Sequence, residues 1–140
     1  MSTPVIVYVL TGLAAVVIVL TRLRMRGGKG AARVYVGRLL LNVHTIAGVL
    51  ALVVWIAFLV ADEDTTAGSA TAGIIGLALW WIVTIAGLLM LVRWMPTHGR
   101  HASEGTHDNW SEGPGLSVLA HVGMLVGVCV FTWAYLTSAV

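Results

Sequence analysis

The chain has 140 residues, 59% of them hydrophobic and only 10% charged, and its mean hydropathy is +0.94. A soluble domain carries roughly a quarter charged residues and about half apolar ones, and disorder needs low hydrophobicity with high charge, so both are excluded and an integral membrane protein remains. The net charge of +2 and the pI near 9.1 do not signal a nucleic-acid partner, because the basic residues are gathered beside apolar stretches, where membrane topology accounts for them.

A helix needs about 20 apolar residues to cross about 30 Å of hydrocarbon, at about 1.5 Å per residue. The first such stretch, from Pro4 to about Thr21, carries no charge. It does not read as a secretory signal, since its positive residues follow the apolar segment instead of preceding it. A basic connection (Arg22 to Arg38) leads to a second charge-free span, Leu39 to Ala61. A short acidic connection (Ala61 to Ala70) precedes the third span, Thr71 to Val92, closed by Arg93. A polar connection from Arg93 to Gly113 leads to the fourth span, which starts at Gly115 and runs to about Ser138. No connection is long enough for a soluble domain, so residues 1–140 read as one membrane domain.

All eight basic residues (Arg22, Arg24, Arg26, Lys29, Arg33, Arg38, Arg93 and Arg100) fall on one side of this four-span arrangement. Asp62, Glu63 and Asp64 fall on the other. The positive-inside rule then places the basic and histidine-containing connections in the cytoplasm and both termini outside. The expected fold is an all-α integral membrane protein, an up-down bundle of four transmembrane helices, multi-pass in a bacterial plasma membrane. The Gly27-Gly28-Lys29-Gly30 run lacks the strand and the Lys-Ser/Thr ending of a phosphate loop. It reads as a basic turn touching anionic lipid headgroups.

Gly73 and Gly76 in the third span, and the Gly123/Gly127 pair in the fourth, are positions where helices are expected to approach closely. Pro114 opens the fourth helix and Pro96 ends the third. Trp80, Trp81, Trp94, Trp110 and Tyr135 are expected near the membrane interfaces, with lipid-facing or packed positions an equal alternative for Trp80 and Trp81. The single cysteine, Cys129, excludes an intrachain disulfide and reads as a small core residue.

Ionisable groups inside spans are costly and point to function. There are two, His44 and His121. His44 follows Arg38 by six residues and His121 follows Gly115 by six, so each lies ~9 Å along its helix. Both helices run outward from the basic side, which sets the imidazoles at similar depth on diagonally opposed helices. Two ring nitrogens are thereby expected on opposite faces of one iron porphyrin, His44 and His121 being the axial ligands. Gly48, Ala51 and Trp55 continue the stripe begun by His44, and the small residues leave room for a macrocycle. On the fourth helix Ser117 and Gly123 flank His121. Arg38 is placed to pair with a haem propionate, and Arg100 is a second candidate.

Through Leu41-Asn42-Val43-His44-Thr45-Ile46-Ala47-Gly48 and Leu119-Ala120-His121-Val122-Gly123, the chain resembles the four-helix membrane b-type cytochromes. Two-haem members of that group carry a further histidine along each of the same helices. This chain carries none, so the resemblance implies one haem b. The competing interpretation is a buried histidine that hydrogen-bonds Asn42, Thr45 or a nearby carbonyl, worth about 1 kcal/mol.

In the third connection, His98 and His101 with His107 and Asp108 form a weaker candidate site for a divalent metal, with no specific zinc spacing. Trp110 in the same segment is a candidate partner contact. No Ser/His/Asp set, paired carboxylates or phosphate cradle appears where chemistry could be confined, so no independent catalytic activity is expected. The expected function is a single-haem electron-transfer subunit working with larger subunits of a respiratory membrane complex. The Gly/Ala/Val-rich composition resembles membrane proteins of high-GC actinobacteria, whose respiratory complexes carry small accessory subunits. A haem-free accessory or assembly subunit is the second expectation, and a small transporter the third.

Overall fold

The computed structural model describes residues 2–27, 38–94 and 114–140, with side chains over 2–20, 39–93 and 118–140. Four helices account for nearly all of these residues: α1 (Thr3–Gly27), α2 (Arg38–Val60), α3 (Ala70–Trp94) and α4 (Pro114–Leu136). No strand occurs among the described residues. Each helix is long and apolar enough to cross a membrane.

Three boundaries agree with the apolar spans to within about two residues. The fourth differs: α1 continues past Thr21 through Arg22, Arg24 and Arg26 to Gly27. Hydropathy marks where a helix meets charge, not where its hydrogen bonding stops. Leu, Arg and Met are good helix formers, so nothing in this stretch interrupts the helix where the charges begin.

Side-chain contacts fix the direction of every helix. At the end of the bundle that carries residues 61–69, the Tyr8 hydroxyl of α1 donates to the Leu59 carbonyl of α2 at 3.0 Å. The Tyr135 hydroxyl of α4 donates to the Ala70 carbonyl of α3 at 2.9 Å. The start of α1 therefore meets the end of α2, and the start of α3 meets the end of α4. Neighbours are antiparallel, and the helices form a ring in chain order with α2 and α4 on one diagonal. The α2–α3 packing is the most extensive, and α1 packs least on its two neighbours.

One stripe of each helix faces inward at helical spacing. On α1 it is Val7, Thr11, Ala14 and Ile18. On α2 it is His44, Ala47, Ala51 and Trp55. On α3 it runs through Leu77, Trp80, Val83 and Thr84, and on α4 through Val128, Phe131 and Ala134. Trp55 and Trp80 are fully enclosed and both pack on Phe131 with tilted rings, centroids 5.2 and 5.6 Å away. Their indole N–H groups are buried without a hydrogen-bond partner. Trp80 is thus packing and not an interface anchor. Trp81, half-buried, donates to Thr132 Oγ1 at 3.2 Å.

Gly73 and Gly76 permit close approach as expected: a Cβ at Gly73 would meet Tyr135 Cε2 at 2.5 Å, and one at Gly76 would meet Trp55 Cε3 at 3.1 Å. Gly123 and Gly127 do not, since a Cβ at either would meet nothing within 4 Å. Gly123 is exposed, and Gly127, though buried, stands against no neighbour that a side chain would touch, while Cys129 is exposed instead of in the core. The acidic connection is compact. Thr65 donates through both N and Oγ1 to the Asp62 carbonyl, and Gly68 N donates to Thr65 Oγ1. Gly68 is required there because the Asp62 and Ala61 carbonyl oxygens occupy the space of a side chain.

The outer faces carry large aliphatic side chains throughout, among them Leu13, Val16, Ile46, Val53, Ile75, Ile82, Leu119 and Val126. Water would penalise so continuous an apolar surface, whereas lipid or a partner helix would not.

Candidate functional site

Beyond Trp80, away from the 61–69 end, the inward stripes change character. α2 presents His44, which is 6% exposed. α4 presents His121 and, one turn on, Met124. α3 presents Val83, Thr84 and Gly87, and α1 presents Val17 and Ile18. Together His44, His121, Met124, Val83, Thr84, Val17 and Ile18 enclose a cavity of about 10 Å³, room for a single water-sized occupant.

The two imidazoles meet at Gly87. A Cβ there would stand 3.1 Å from His121 Nε2, 2.8 Å from His121 Cδ2 and 3.3 Å from His44 Nε2. Both ring tips thus rest against bare α3 backbone, and only glycine permits this. Helices α2 and α4 lie on the diagonal, so the rings arrive from opposite sides. Thr84 lines the cavity, and its hydroxyl donates to the Trp80 carbonyl at 2.9 Å, so toward any further group that oxygen can only accept. Thr45 commits its hydroxyl to the Leu41 carbonyl at 2.9 Å, and Asn42 is exposed. Neither of these neighbours serves as the expected donor partner of His44.

The structure therefore brings together the histidine pair singled out in the sequence. Arg38 opens α2, with its side chain outside the described residues, as is that of Ser117 on α4. Arg100, His98, His101, His107, Asp108 and Trp110 lie wholly outside them. Gly48, expected to leave space, faces inward, but Ile18 of α1 fills that space, its Cδ1 being 3.2 Å from where a Gly48 Cβ would be. Gly123 is exposed and takes no part. Among the residues of the site that were not anticipated are Thr84, Gly87 and Met124. Extending the Gly76–Trp80 stripe along α3 passes through Thr84 and Gly87, and Met124 shares the face of His121 at i+3.

Against protein-family models, curated proteins and solved structures, the chain matches nothing. The site itself therefore carries the functional argument.

The donor chemistry suits haem iron: two imidazole Nε2 atoms come from opposite helices, with glycine backbone and no side chain between them at α3. The cavity is far smaller than a macrocycle. Haem binding thus requires the helices to part, most readily at α1, the least extensively packed.

Proposed function

We propose that the chain is a single-haem b-type membrane cytochrome, a small electron-transfer subunit of a larger respiratory complex in a bacterial plasma membrane. The observation that carries this reading is the convergence of His44 and His121 on Gly87 from diagonal helices. His44 and His121 would hold the iron through their imidazole nitrogens, and Arg38 would offer a cation to a propionate. When bound, the group would supply one-electron exchange. Val17, Ile18 and Val83 line the site with apolar side chains, and the apolar outer faces offer larger subunits a dry surface.

The test is spectroscopic. Protein isolated from native membranes is expected to show a Soret band, a reduced-minus-oxidised difference spectrum and one iron per chain. Colourless, iron-free protein would replace this reading with the haem-free accessory subunit, which the closed packing around the histidines favours.

The proposed orientation places both termini outside and the basic segments in the cytoplasm. In a Cys129→Ser background, an Ala67→Cys variant is expected to react with a membrane-impermeant maleimide in intact cells. An Arg100→Cys variant should react only after permeabilisation. The reverse pattern would invert the topology.

A further inference from the structure

The cavity between the histidines is ion-sized, and its donors are not those of an iron porphyrin alone. Met124 adds a thioether to two imidazoles on the same enclosed space. We propose that the closed bundle binds one Cu(I) ion through His44, His121 and Met124.

Three arguments select this ion. A thioether with imidazoles is a soft donor set, which favours Cu(I) over hard cations. The cavity lining holds no carboxylate or thiolate, and among the described residues no three His, Cys, Asp or Glu side chains gather. A divalent ion would therefore bury two uncompensated charges, whereas a monovalent one buries a single charge. Finally, closed-shell Cu(I) is satisfied by two or three ligands, which is what this space provides. Zinc in structural sites takes four.

The inference does not depend on the haem reading. It uses the helices as they are packed, whereas a macrocycle needs them parted. Ion and haem compete for the same two nitrogens, so a chain holding one excludes the other.

The experiment uses full-length, haem-free protein in detergent. His98, His101 and His107 are changed to Ala and Cys129 to Ser, which removes the other histidine and thiol donors. Cu(I) is titrated anaerobically in competition with a chromophoric Cu(I) chelator, and the copper edge is examined for scatterers. One bound Cu(I) per chain is expected, with two nitrogens and one sulfur. Met124→Leu, a near-isosteric change that keeps the packing, should weaken binding at least tenfold and remove the sulfur. His44→Ala and His121→Ala should abolish binding. Failure of the parent to hold Cu(I) against the chelator would overturn the proposal, as would Met124→Leu binding with unchanged affinity. Equal or tighter Zn(II) binding would overturn the choice of ion. A colourless native protein would defeat the haem reading and leave this result standing.

Discussion

Replacing either His44 or His121 by alanine is expected to abolish the low-spin haem spectrum, not merely to weaken it. Iron held between two imidazoles depends on both. Loss of one leaves a single ligand facing an apolar wall of Val17, Ile18 and Val83, with Thr84 the nearest hydroxyl. The two variants should behave alike, because both ring tips face the same stretch of α3 backbone. Asn42→Ala supplies the control, since Asn42 is exposed on the opposite face of α2 and should leave the spectrum unchanged. Helicity by circular dichroism separates loss of ligand from loss of fold. A buried histidine held only by packing would give the opposite pattern, a modest fall in stability with no change in colour. A haem spectrum that survives in either single variant would remove that histidine from the ligand set.

The second large effect is expected at Gly87. A methyl group there would press on His121 Cδ2 at 2.8 Å and on both Nε2 atoms. Gly87→Ala should therefore displace both imidazoles, and so remove the cofactor spectrum, while changing little else. Gly87→Leu should also destabilise the bundle by about 1–3 kcal/mol, the usual range for overpacking a filled interior. Thermal unfolding in detergent would measure it. Gly123→Ala is the contrast: its Cβ meets nothing, and alanine favours helix over glycine by about 1 kcal/mol, so stability should hold or rise. If Gly87→Ala retained the wild-type spectrum, the contact between the rings and α3 would not bear on cofactor binding.

These two sites differ in how visible they were beforehand. His44 and His121 stand out because an imidazole inside an apolar span is conspicuous, and their equal distance from the span starts follows from helical rise alone. Gly87 is one glycine among 16, and nothing local distinguishes it from Gly123. The GxxxG spacing drew attention to the wrong pair. A Cβ at Gly123, which is exposed, or at Gly127, which is buried, would meet nothing within 4 Å, whereas Gly73, Gly76 and Gly87 lie on the inward face of α3 against side chains of other helices. Which face turns inward depends on the rotation of each helix about its axis. When all faces are apolar, hydropathy carries almost no information about that rotation.

Cys129 and Trp80 teach the same lesson. Both sit in uniformly apolar runs, and packing put the cysteine outside and the large indole at the centre. Half of the α3 span is buried, against 22–28% for the other three, so α3 serves as the wall for both histidine-bearing helices. Nothing in its composition announced that role.

What the amino-acid order alone determined was the number of helices, their approximate limits, the short acidic connection after α2 and the presence of two imidazoles at matching heights. Each follows from forces that act along one segment: length against hydrocarbon thickness, backbone hydrogen bonding, and helical rise. Tertiary packing decided the rest: that both imidazoles come to rest on α3, that Ile18 closes the space beside Gly48, and that Thr84, Gly87 and Met124 join the histidines. Those outcomes depend on interlocking shapes between segments distant in sequence, and shape complementarity between apolar faces leaves no periodic trace in either partner.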